Sequence, residues 1–139
     1  MRLVVDASVV AKWFNVEELS NKAVEVKDAF VEGRLELVAP IHIIYEVGNS
    51  IWKNAQLTEE DASDAIASLL RIDLQLLSPD MERARRAMEI ARMKKTAFYD
   101  ATYLQAAEEL KTTLLTSDES QMAAGRGIVK ILHLREVKL

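Results

Sequence analysis

Short apolar runs alternate with longer stretches of helical periodicity from one end of this chain to the other. RLVVD (2–6), LELVA (35–39), DLQLL (73–77), TTLLTS (112–117) and VKILHL (129–134) read as strands. Ser8 is placed to cap a helix through about Asn15, and a second helical pattern runs from about Glu18 to Gly33. Segment 41–55 is helical, with Ile41, Ile44, Tyr45, Gly48, Ile51, Trp52 and Ala55 on one face. Thr58 followed by Asp61 has the spacing of a capping box and opens a helix to about Leu70. Further helices cover 80–94, the stretch from near Asp100 to Lys111, and the short ESQMAAG segment. Strands alternating with helices predict an α/β domain with a mainly parallel sheet and helices on both faces. With no linker, repeat or low-complexity tract, residues 1–139 are expected to form a single domain.

The composition narrows the chemistry. There are no cysteines, which excludes disulfides, thiolate metal sites and cysteine nucleophiles. His42 and His133 are too few for a multi-histidine metal site. No apolar run approaches the roughly 18 residues of a membrane span, and the N-terminus leads straight into a strand. A soluble cytoplasmic protein is expected. Net charge is −4, so bulk electrostatics does not advertise nucleic-acid binding. Yet ERARRAMEIARMKK (82–95) carries Arg83, Arg85, Arg86, Arg92, Lys94 and Lys95 against only Glu82 and Glu89. A solvated helix face with Arg85/Glu89 and Glu89/Arg92 pairs is the plain explanation.

Four acids stand out. Asp6 sits between Val4–Val5 and Val9–Val10, in a stretch that otherwise reads as core. An unpartnered carboxylate there costs several kcal/mol or takes up a proton. Either it ends the first strand as a turn residue or something positive awaits it. Asp118 ends a later strand in the same way, where an N-cap is the ordinary role. Glu46 lies on the polar stripe His42, Glu46, Asn49, Lys53, equally consistent with a half-exposed face. Asp100 stands near a helix start among Phe98, Tyr99 and Tyr103, with no other acid until Glu108. In parallel α/β sheets chemistry gathers at the carboxyl ends of the strands. Carboxylates gathered there repel unless a cation joins them, and Mg²⁺ or Mn²⁺ takes such oxygen ligands without Cys or His.

LVVDASVVAKW, PIHIIYEVGNSIWK, AFYDATYLQAA and LLTSDE resemble the four motif blocks of PIN-domain nucleases, and more narrowly those of VapC-type toxins from VapBC toxin–antitoxin systems. The blocks span 3–118, in the family's order. The resemblance implies a three-layer α/β/α fold around a five-stranded parallel sheet of order 3-2-1-4-5. It also implies metal-dependent endoribonuclease activity. Asp6, Glu46, Asp100 and Asp118 match the family's acids, while Ser8, Asn49 and Thr116 match its supporting polar positions. On this reading Asp6, Asp100 and Asp118 hold one or two Mg²⁺ or Mn²⁺ ions. Glu46 orients the attacking water, accepts its proton or completes the metal shell. Arg83, Arg86, Lys94 and Lys95 become candidates to track an RNA backbone. A homodimer silenced by a VapB-like antitoxin is further implied.

Other expectations are more ordinary. His42, one turn before Glu46, could approach the site, but an ordinary exposed histidine is the plainer reading; Trp13, Phe14 and Trp52 are candidate apolar contacts for the antitoxin that read more simply as core. The competing functions are a catalytically silent PIN-like binding or scaffold module and a PIN-family RNA-processing nuclease without an antitoxin. An aspartate-nucleophile phosphatase of the HAD type fits poorly, because DAS lacks that family's second aspartate.

Overall fold

The computed structural model describes residues 1–139. Five strands, β1 (Arg2–Val5), β2 (Glu36–Pro40), β3 (Gln75–Leu77), β4 (Thr113–Thr116) and β5 (Ile131–His133), form one sheet of order β3-β2-β1-β4-β5. Every neighbouring pair is parallel. The central strand β1 is apolar without alternation, because Leu3, Val4 and Val5 are all buried and both sheet faces are covered. Seven helices connect the strands: α1 (Ala7–Val10), α2 (Ser20–Val31), α3 (Ile43–Lys53), α4 (Glu59–Ile72), α5 (Met81–Lys94), α6 (Phe98–Leu110) and α7 (Glu119–Gly125). The α/β class and the sheet order are those expected.

Most element ends lie close to the sequence expectation, and the Thr58–Asp61 capping box forms in both directions. Three expectations are corrected. Ser8 does not cap the first helix: Asp6 is the N-cap residue, and the Ser8 hydroxyl turns back onto the Asp6 carboxylate. That helix lasts only to Val10 before tightening into a 3-10 turn at Ala11–Trp13. In α3 the buried residues are Ile43, Val47 and Ile51, whereas Tyr45 is 80% exposed and Trp52 75% exposed. Trp52 is therefore surface. The helix carries two adjacent apolar stripes, and only the aliphatic one meets the core. Trp13 is buried and donates its indole N–H to the Ala23 carbonyl, and Phe14 is half-buried against the core.

The pair α5 and α6 is bolted together by guanidinium–carboxylate forks. Arg83 donates to both oxygens of Glu109 (2.9 and 3.0 Å), and Arg86 to both oxygens of Glu108 (2.8 and 2.9 Å). Glu89 pairs with Arg86, not with the expected Arg85 or Arg92. α6 packs against β1, β2 and β4. Its first turn consequently stands at the carboxyl edge of the sheet's centre. Gly125 lets α7 close onto β5: a Cβ there would lie 1.8 Å from Ile131 Cδ1.

Candidate active site

β1 and β4 run side by side with Val5 paired to Leu115, and the Asp6 N–H extends the ladder to the Leu115 carbonyl at 2.9 Å. The register makes Asp6 and Thr116 neighbours as both chains leave the sheet. Thr116 and Ser8 both donate to Oδ2 of Asp6, each at 2.7 Å. Ser8 Oγ accepts from the Ser117 N–H at 3.0 Å, and Thr116 Oγ1 accepts from the Asp118 N–H at 3.0 Å. Two hydroxyls thus fasten the first acid to the loop that carries the fourth. Asp6 is only 5% exposed, and burial pushes its carboxyl up to about 6. The Ser8 and Thr116 hydrogen bonds oppose that rise, while the charges of Asp100 and Glu46 add to it.

Asp118 does cap α7, with Oδ1 accepting from the Ser120 N–H at 2.9 Å and from Ser120 Oγ at 2.7 Å. Capping uses Oδ1 alone and leaves Oδ2 free. Asp100 occupies the first turn of α6, half-buried, and neither of its carboxylate oxygens has a hydrogen-bond partner. Its carboxyl is raised by burial, then by Glu46 and Asp118, with His42 acting in the opposite sense. Its main-chain carbonyl accepts from the Gln121 side chain at 3.0 Å, tying α7 to α6.

Glu46 projects from α3 and is held by one oxygen. Oε1 accepts from the Tyr103 hydroxyl at 2.8 Å and meets His42 Nδ1 at 2.6 Å. Tyr103 is fully buried, and burial followed by the charges of Glu46 and Asp6 lifts its phenol far above the ordinary range. It therefore stays a donor. His42 also reaches Thr102 Oγ1 at 2.7 Å and packs edge-on against Tyr99 and Tyr103. The expectation of an ordinary exposed histidine is corrected: His42 is built into the site. Sequence reasoning also missed Thr102, Tyr103 and Gln121. The signal for His42 was its spacing of four before Glu46, and for Tyr103 its spacing of three after Asp100.

The acids lie close enough for charge to be felt between them: Asp100 and Glu46 raise Asp6, and Glu46 and Asp118 raise Asp100. Their free oxygens form a pattern: Oδ1 of Asp6, Oε2 of Glu46, Oδ2 of Asp118 and both oxygens of Asp100 accept no hydrogen bond from the protein. Such an all-oxygen set with raised carboxyls suits a hard divalent cation. No group of three acid or imidazole side chains closes on a single point. Asn49 is exposed and lines, with Glu46, Lys53 and Asn54, a polar cleft of about 880 Å³. Of the basic candidates, Arg83 and Arg86 are engaged by α6 and the Lys94 ammonium donates to the Arg126 carbonyl. Lys95 is exposed at the C-cap of α5.

The fold is a three-layer α/β domain with a parallel 3-2-1-4-5 sheet and acids at the ends of its central strand and the neighbouring β4. The model of the family described as the PIN domain matches residues 3–126, and this chain belongs to that family. Among curated relatives, Ribonuclease VapC3 of Pyrobaculum aerophilum is 35% identical over 123 residues, covering 85% of this chain and 90% of that protein. Exonuclease VapC9 of the same organism is 32% identical over 108 residues, covering 75% and 78%. Among solved structures, VapBC2 from Rickettsia felis bound to a DNA fragment from their promoter shares the fold with a TM-score of 0.71. Its sequence identity is 10%, over 96% of this chain and 98% of that one. No helix here is long and apolar enough to cross a membrane.

Proposed function

We propose that this protein is a Mg²⁺- or Mn²⁺-dependent endoribonuclease acting as the toxin of a toxin–antitoxin pair. The observation that carries the reading is the set of unpaired carboxylate oxygens on Asp6, Glu46, Asp100 and Asp118 at one sheet edge. Asp6, Asp100 and Asp118 are the residues to hold the ion. When bound, it supplies an acidified water and neutralises the scissile phosphate. Glu46, tethered through one oxygen, offers the other to complete the metal shell, to orient that water or to take its proton. Ser8 and Thr116 aim Asp6, and Asn49 faces the cleft that would receive the RNA. Of the four basic candidates, Lys95 is exposed and its side chain makes no hydrogen bond or ion pair within the protein, which leaves it available to an RNA backbone, whereas Arg83 and Arg86 are engaged with α6 and Lys94 with Arg126. Water as nucleophile leaves a 5′-phosphate and a 3′-hydroxyl.

Purified protein with Mn²⁺ should cut both linear and circular RNA. Asp6→Asn or Asp100→Asn should lower the rate by about 100-fold or more, as EDTA should. Activity indifferent to both substitutions and to EDTA would sink the assignment. One relative is named an exonuclease. Linear RNA degraded while circular RNA stays intact would favour that mode here. The likeness to a VapBC assembly supports a cognate antitoxin as partner, and the resemblance to VapC-type toxins supports a homodimer. Co-expression with the product of a small gene directly upstream should abolish cleavage. Failure to inhibit would favour an RNA-processing nuclease.

A further inference from the structure

We propose that His42 is a positioning residue that fixes Glu46 for the reaction, an inference resting on the nuclease reading above. The imidazole bridges two helices: Nδ1 meets Glu46 Oε1 at 2.6 Å, and Nε2 meets Thr102 Oγ1 at 2.7 Å. Thr102 has a single hydroxyl hydrogen, and it is directed to the Tyr99 carbonyl of the preceding turn. The contact between Nε2 and Thr102 Oγ1 anchors the ring to α6. Tyr99 and Tyr103 pack edge-on against it, with centroids at 5.3 and 5.4 Å, and close off rotation.

The consequence falls on Glu46. A glutamate has three flexible torsions, and freezing them costs conformational entropy. Here the cost is met by two contacts to the same oxygen, from His42 and from the Tyr103 hydroxyl. These contacts, one from the N-cap of α3 and one from α6, hold Oε1 in place and narrow the arc open to Oε2, which has no partner of its own. Tyr103 alone would hold Oε1 from one direction; His42 adds the second. Orienting groups of this kind are worth about 10–100-fold in metal affinity or activity.

Separate variants at one position test this, because the two ring nitrogens have different mimics. In His42→Asn the amide sits near Nδ1 and can still meet Glu46. In His42→Gln it reaches the Nε2 position and can still meet Thr102. The measurements are kcat and KM on a short RNA with Mn²⁺, and Mn²⁺ affinity by calorimetry without RNA. His42→Ala should lower kcat about 10–100-fold, with KM within about twofold of the parent. His42→Asn should recover most of that loss and His42→Gln little of it, and Mn²⁺ affinity should follow the same order. If His42→Ala does not fold, the asparagine–glutamine comparison still decides the matter. Rescue by glutamine at least equal to that by asparagine would mean that His42 merely ties α3 to α6, and would overturn the proposal. Parent-like kcat and Mn²⁺ affinity in His42→Ala would overturn it too. A parent that cleaves no RNA, yet shows this order in Mn²⁺ affinity, overturns the nuclease reading while supporting the placement of Glu46.

Discussion

Asp6 has given up nearly all of its water, and the two hydroxyls on Oδ2 recover only part of the loss, so its carboxyl stands at about 6 against an ordinary 3.8. A carboxyl that binds protons more tightly folded than unfolded stabilises the fold at low pH. That contribution disappears as pH rises from about 4 through 6. Above pH 6 the charged form costs on the order of 3 kcal/mol in the metal-free protein. Asp6→Asn keeps an oxygen for Ser8 and Thr116 without the charge. Metal-free Asp6→Asn protein should therefore be more stable than the parent by about 1–3 kcal/mol at pH 7.5, and the gap should close near pH 4. Urea unfolding at the two pH values measures it, and a gap independent of pH contradicts the account. Asp6, Ser8 and Thr116 were legible in the sequence because strand ends and motif spacing place them. His42 and Tyr103 were not. Their meaning lies in a contact between α3 and α6, with 57 residues separating Tyr103 from Glu46. Helical spacing says which side chains share a face but not what stands opposite.

At the scale of the elements, α4, α5 and α6 each end on a non-glycine residue in the left-handed region: Asp73, Lys95 and Lys111. Aspartate tolerates that conformation better than lysine, whose Cβ crowds the following carbonyl. Lys111, at φ +52° and exposed, is the residue to replace. Lys111→Gly should raise the unfolding free energy by about 1 kcal/mol without altering RNA cleavage. Denaturant unfolding is the check; a loss of stability would mean that the lysine side chain contributes more than its backbone strain costs. Element order and type were legible here from the periodicity of each segment, helped by the side-chain caps of α4, α5 and α7. The error in α3 has a clear source: Tyr45 and Trp52 present large apolar rings at helical spacing with Ile44 and Gly48, a stripe that competes in the sequence with Ile43, Val47 and Ile51. Only the tertiary arrangement decides which stripe is covered.

The whole molecule couples its site to its stability. A ligand that binds the folded chain alone adds RT ln(1 + [L]/Kd), about 2.7 kcal/mol at a hundredfold excess over Kd. Mn²⁺ should therefore raise the parent's melting temperature, and Asp100→Asn should lose most of that rise. Differential scanning calorimetry with and without EDTA reads the difference. An equal Mn²⁺ effect in both proteins would move the ion elsewhere. The α/β class was legible from the alternation of strands and helices. The 3-2-1-4-5 order entered through the motif resemblance, because residue periodicity does not specify strand neighbours.

The bond between Asp6 and Thr116 joins a residue near the start of the chain to one 110 positions later. A chain growing on the ribosome from its N-terminus exposes Asp6 early, but cannot assemble the acid set until β4 and the Asp118 turn have emerged and paired with β1. Every shorter nascent chain lacks the fourth acid and the hydroxyl that aims the first. The same strand order that gathers the four acids thus delays their meeting until nearly the whole chain has been made.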